Sequence, residues 1–180
     1  QLRSHHVFAK TNAREFHYPQ GDDNVYAAYE GTGGVPISNV FRRLLFSARF
    51  KSFKVLLSDD ITNESRVMFH RRVSDRVRKI APFLRVDRDP YPVITTAGRI
   101  VWLVDAYTTP DYFPYSHRTP GVGNYIRNPV KVTVDAYDGA VSLYVIEPDE
   151  PMIAAYARAF PSLFLPFSAM PEGLRAHIRY

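Results

Sequence analysis

Apolar and polar residues alternate most regularly between positions 93 and 147, and that stretch reads as β-strands. Positions 93–96 and 99–107 predict one hairpin through Ala97-Gly98. Positions 130–137 and 140–147 predict a second through Asp138-Gly139. Asp-Gly suits a two-residue type I′ turn, which would pair Tyr137 with Ala140, Ala136 with Val141, Val134 with Leu143 and Val132 with Val145. Each hairpin carries one copy of the string Val-Asp-Ala-Tyr, at 104–107 and at 134–137. Two strands of like design suggest one antiparallel sheet.

Upstream the period lengthens. Ile37, Val40, Phe41, Leu44, Leu45 and Ala48 recur at helical spacing and predict a helix over about 37–50. Phe46 and Phe50 widen its apolar stripe enough to imply a mostly buried helix. A second helix is expected over about 63–80, capped by Thr62 or Asn63 and stopped by Pro82, with Phe69, Val73, Val77 and Ile80 as its stripe. Positions 53–57 read equally well as helix or strand. Short strands are expected at 7–9 and 15–18 around a turn, then a loop from Pro19 to Pro36 with room for a helical turn at 25–29. Positions 108–124, rich in Pro and Gly, read as a long loop. Pro151 opens a helix ending near Ala159, and a last short one follows Pro171. The sum is an α+β fold: an antiparallel sheet of two hairpins (about 93–107 and 130–147) packed with several helices, in a single domain 1–180.

Composition changes this picture little. With 46% hydrophobic and 23% charged residues the chain is ordinary for a globular protein rather than a disordered one. No run nears the roughly 18 apolar residues that a membrane span needs. The absence of cysteine excludes disulfides, thiol chemistry and cysteine metal ligands. The chain begins without Met, and an excised part of a longer protein is expected.

Charge is more informative. Between Arg42 and Arg88 lie 13 basic and five acidic residues, a net +8, so the remainder of this +5 chain carries −3. Arg71, Arg72, Arg76, Arg78 and Lys79 gather on the expected second helix. They read either as a solvated face paired with Glu64, Asp75 and Asp87, or as a patch for anionic lipid headgroups. Nucleic acid would need the same charges, but no helix-turn-helix, RNP or zinc-finger signature accompanies them.

Other chemistry is sparse. Gly31, Gly33 and Gly34 before a predicted helix invite an anion-loop reading, although no Gly-Lys-Ser/Thr follows and the rival reading is a tight turn. Asp22, Asp23, Asn24 and Glu30 match no calcium-loop spacing. The histidines (His5, His6, His17, His70, His117 and His177) form no His-Glu-x-x-His pair, so no metal and no cofactor is expected. If the two repeats lie side by side in register, Asp105 and Asp135 would share a face and could divide acid and base roles. The competing reading has alternation placing both on the wet face of the sheet.

Longer strings add up to a likeness. Gly21-Asp22-Asp23-Asn24-Val25-Tyr26, Tyr29-Glu30-Gly31-Thr32-Gly33-Gly34-Val35-Pro36, Phe41-Arg42-Arg43-Leu44-Leu45, Lys79-Ile80-Ala81-Pro82-Phe83-Leu84, Asp89-Pro90-Tyr91-Pro92 and Asn124-Tyr125-Ile126-Arg127-Asn128 run in this order. Together they resemble a bacterial family of uncharacterised, large multi-pass membrane proteins with N-terminal transmembrane helices and a long extracytoplasmic region. The resemblance covers nearly the whole chain from about Asn12. It implies a soluble segment on the extracytoplasmic side of the cell membrane, with the membrane surface, the parent's transmembrane helices and anionic lipid as partners. It supplies no catalytic residues. The expectation is a non-catalytic binding or scaffold domain. The alternative is a hydrolase-like envelope enzyme using Asp105 and Asp135, with Glu30 as a further acid/base candidate.

Overall fold

A computed structural model describes residues 6–179. Helices and mainly antiparallel sheets are mixed, an α+β arrangement. The chain divides into two compact units, Gln1–Arg71 and Arg72–Tyr180.

In the first unit, β1 (His6–Ala9) and β4 (Val35–Pro36) flank β5 (Arg66–Phe69), both antiparallel to it. A separate hairpin pairs β2 (Glu15–Gln20) with β3 (Asp23–Ala27). So the expected partners β1 and β2 do not pair with each other, and 25–29 is largely strand rather than a helical turn. Gly21, at φ +63°, makes the tight β2–β3 connection that frees Asp23–Ala27 to extend.

Helix α1 (Val40–Phe50) starts where Asn39 accepts from the Arg42 amide at 2.8 Å. It ends at Lys51 in the left-handed region, φ 52°. The ambiguous segment resolves as a short helix, α2 (Lys54–Leu57). Ile37, Val55, Ile61 and Val67 form the small core, with Phe46 and Phe50 packed on it. Contrary to the expected burial of α1, its Val40, Phe41, Leu44 and Leu45 are exposed.

The expected helix over 63–80 does not exist as one element. Its first part is strand β5, His70 breaks the chain at φ 51°, and only α3 (Val73–Ile80) is helical. Val67 and Phe69 alternate as strand residues, and Phe69 happens to fall in helical phase with Val73.

The second unit is built on one sheet in the order β11-β10-β9-β8-β6. These are β6 (Arg85–Val86), β8 (Ile100–Thr108), β9 (Arg127–Asp135), β10 (Val141–Val145) and β11 (Phe164–Pro166), with β7 (Tyr91–Ile94) sharing the β6 edge of β8. Only β10–β11 is parallel. One face carries Val104, Ala106, Val130, Val132, Val134 and Leu143, covered by Val77 of α3 and Ile153 of α4 (Pro151–Ala159). The other carries Val101, Leu103 and Tyr144, covered by Met170 and by Leu174 of α5 (Glu172–Arg175).

The β9–β10 register differs from that expected. Val134 pairs with Val141 and Val132 with Leu143, two residues away from a two-residue turn. The Asp135 amide bonds to the Ala140 carbonyl and the Gly139 amide to the Asp135 carbonyl, so four residues form the loop. Asp135 Oδ1 accepts from the Tyr137 and Asp138 amides, both at 2.8 Å, and nucleates this wider turn. A shift of two preserves side-chain parity, so the apolar set still faces the core.

Candidate functional site

The antiparallel register of β8 and β9 sets Asp105 opposite Lys131 and Asp135 opposite Val101. The two repeat aspartates therefore point to one face, but four residues apart along it, roughly 13 Å at strand rise. They do not meet. Asp105 Oδ1 and Lys131 Nζ form an ion pair in the middle of the sheet, with the residues only 6% and 3% exposed. Asp105 is thus not on a wet face, contrary to the plainer sequence reading. A pair this buried offers no solvent-facing carboxylate, and stripping either partner would leave the other charge uncompensated. On the same face Tyr91 is pushed above the ordinary phenol range, first by burial and then by the Asp105 charge. Its hydroxyl donates to the His177 carbonyl at 2.9 Å, and the Arg179 guanidinium lies 3.9 Å from its ring centroid.

Asp135 is committed to the turn. Beyond its two amide bonds, Oδ2 accepts from Arg99 Nη2 at 2.8 Å and Nε at 3.1 Å, and Arg99 also reaches Asp138. Burial alone would raise its carboxyl, but the Asp138 and Tyr137 amides and the Arg99 guanidinium together hold it below the usual carboxylate range. Glu150 is likewise occupied: it caps α4 through the Met152 and Ile153 amides and accepts from the Tyr125 hydroxyl. Glu30 belongs to the first unit, beside Lys10, Asn12 and Glu64. Among the described residues no three His, Asp or Glu side chains converge as a metal site. His5 lies outside the described residues.

The glycine loop does not open a helix; α1 begins six residues after Gly34. Its carbonyls face a cation instead. Arg66 donates to the Thr32 and Gly33 carbonyls at 2.6 Å and to that of Gly34 at 3.1 Å, while the Gly33 amide donates to the Tyr29 hydroxyl. Gly34 sits at φ +78°, where a Cβ would meet the Val67 carbonyl at 2.8 Å.

The basic cluster is redistributed, because Arg71 and Arg72 precede α3 rather than belong to it. Arg76 turns inward and donates to the Gly139 carbonyl, and its burial lowers its basicity. Gly139 sits at φ +71°, where glycine is favoured, and a Cβ there would push that guanidinium aside. Arg78 pairs with Asp75 at 3.3 Å on the surface. Arg71, Arg72 and Lys79 are exposed and have no side-chain partner among the described residues.

Arg78 also borders an open groove of about 840 Å³ that the sequence did not reveal. Arg85 and Arg88 line it over a floor including Leu84, Val86 and Ile126. Arg85 Nη1 donates to the Gly121 carbonyl at 2.8 Å, and Tyr107 donates to Asp87 Oδ2 at 3.1 Å. The signal in the sequence was Arg85-Val86-Asp87-Arg88, four residues too short to stand out before the groove was assembled.

Comparison with known proteins gives parentage. The chain is 51% identical over 180 residues to a UPF0182 protein of Sulfurovum sp. (strain NBC37-1), covering 97% of this chain and 20% of that protein. It is 47% identical to one from Trichlorobacter lovleyi and 50% identical to one from Geobacter sp. (strain M21), covering all of this chain and 20% of each relative. The chain thus spans about a fifth of the length of these relatives. No solved structure matches it. The model of the uncharacterised protein family UPF0182 matches residues 1–180, and the chain belongs to that family.

Proposed function

We propose that this chain is a non-catalytic binding or scaffold module held against the extracytoplasmic side of a cell membrane, with its basic surface toward anionic lipid headgroups. One observation carries the reading: the two sheet carboxylates and the α4 cap are engaged within the fold, while several basic side chains are left outside. Asp105 is neutralised by Lys131, Asp135 shapes a turn, and Glu150 caps a helix. Arg71, Arg72, Lys79 and Arg88 stay exposed without side-chain partners among the described residues. Each such charge contributes on the order of 1 kcal/mol beside an anionic surface, within a screening length of ~8 Å. The envelope-hydrolase alternative would need Asp105 and Asp135 to converge, and their register keeps them apart.

Vesicle co-sedimentation tests this. Binding to anionic vesicles is expected to fall steeply with salt. The combined variant Arg71→Glu, Arg72→Glu, Lys79→Glu should weaken it several-fold without changing the melting temperature much. Equal binding to neutral and anionic vesicles would contradict the reading. In the intact protein, protease added to spheroplasts should cut this region; protection until lysis would place it in the cytoplasm.

A further inference from the structure

Helix α1 has two apolar faces and the first unit uses one. Phe46 and Phe50 pack inward on the core, and Ser47 is buried with them. At 100° per residue, Val40, Leu44, Phe41 and Leu45 fall within one arc of about 140° that excludes Phe46 and Phe50. They are 74%, 67%, 53% and 53% exposed, and Phe53 and Leu57, one turn apart at α2, are 78% and 77% exposed. So much exposed apolar surface on adjoining elements marks a binding face.

Its charge says what binds. From Gly31 to Ser58 the chain holds five basic residues and no acidic one. Arg42 and Arg43 are anchored on the Pro36 and Ile61 carbonyls, and Arg49 lies over the Phe69 ring. Lys51 and Lys54 are exposed with no side-chain partner among the described residues, Lys51 between the two exposed apolar sets along the chain and Lys54 next to Phe53. A second copy of the chain would set two cationic surfaces face to face. An anionic bilayer is matched on both counts: acyl chains take the leucines and phenylalanines, while lysines reach back to the headgroups. At 11 residues α1 is about 16 Å long, suited to lying in the interface and too short to cross.

We propose that the α1–α2 face inserts into the headgroup–acyl boundary of an anionic lipid bilayer. This rests on the membrane-side reading above but uses a different surface, so the two fail separately. The test floats the 180-residue chain with phosphatidylcholine vesicles and with mixed phosphatidylcholine–phosphatidylglycerol vesicles. The double variant Leu44→Glu, Leu45→Glu should bind the mixed vesicles about tenfold or more weakly, because binding scales with buried apolar area. Phe53→Trp should be quenched by bromine-labelled acyl chains, against the wild-type background from Trp102. Circular dichroism checks folding, and Phe53→Ser with Leu57→Ser repeats the test should the first variant unfold. Wild-type-like flotation of the folded apolar variants, an unquenched Trp at 53 in bound protein, or no flotation of the wild type would overturn the proposal. Loss only on reversing Arg71, Arg72 and Lys79 would leave the earlier reading and remove this one; loss only in the α1–α2 variants would do the reverse.

Discussion

The sheet of the second unit carries apolar side chains on both faces, and both are covered by the unit's own helices: α3 and α4 on one side, α5 and its lead-in turn on the other. Helix α1 of the first unit also carries apolar residues all but around its girth, yet only the side bearing Phe46 and Phe50 finds a core. The two regions are alike in hydrophobic content and opposite in closure. The difference teaches that an apolar stripe states what must be hidden from water, while the partner that hides it can lie outside the unit. In the second unit burial is spent on stability. In the first, part of the apolar surface stays exposed, the face proposed above to meet lipid.

The sharpest way to break this comparison is through the ion pair at the centre of the closed unit. Lys131→Met alone should cost about 3–5 kcal/mol by leaving Asp105 buried and unpaired, and adding Asp105→Leu should restore most of it. Urea unfolding measures both. A harmless single variant would mean that the pair is open to water and free for chemistry.

Next in size is a matched truncation. Leu103→Ala, at 1% exposure, should cost about 2–5 kcal/mol. Leu44→Ala, at 53% exposure, should stay within about 0.5 kcal/mol. Equal costs would mean that α1 is buried after all.

Gly139→Ala follows, at about 1–2 kcal/mol, because it strains a positive φ and displaces Arg76. A neutral result would remove the Arg76–Gly139 contact from the account.

The smallest effect is on pH dependence. Asp135 titrates lower when folded than when unfolded, so its stabilisation is fully present above the unfolded value of about 4 and is lost as pH falls through the lower folded value. Asp135→Asn should flatten the stability curve in that acid range. Identical acid limbs for the two proteins would show that the Arg99 and turn-amide contacts are not made in solution.

How much of this was legible depended on whether one element decided its own neighbours. Strands β8, β9 and β10 alternate plainly, and their faces were readable even though the β9–β10 register was not. There, Asp138-Gly139 suggested a two-residue turn, but the Asp135 side chain recruits two amides of its own and widens the loop. Helix α1 was legible from its spacing, although its Asn39 cap was not singled out; its exposure was not legible, since spacing carries no information about what stands opposite. The merged helix over 63–80 failed because Phe69 of a strand fell in phase with Val73 of a helix, and a break at His70 leaves no composition signal. The basic cluster was visible as charge. Which members remain available was set by distant groups, as when Gly139 takes Arg76, and the Arg85–Arg88 groove needed β6 to be laid beside β8.

Hydrogen exchange on the 180-residue chain, with and without anionic vesicles, tests the central contrast most directly. Amides of β8 and β9 should be the slowest and unchanged by lipid, whereas those of α1 and α2 should exchange faster in buffer and slow when vesicles are added. Protection of α1 equal to that of β8 without any lipid, or no slowing of α1 and α2 on saturating anionic vesicles, would contradict the account.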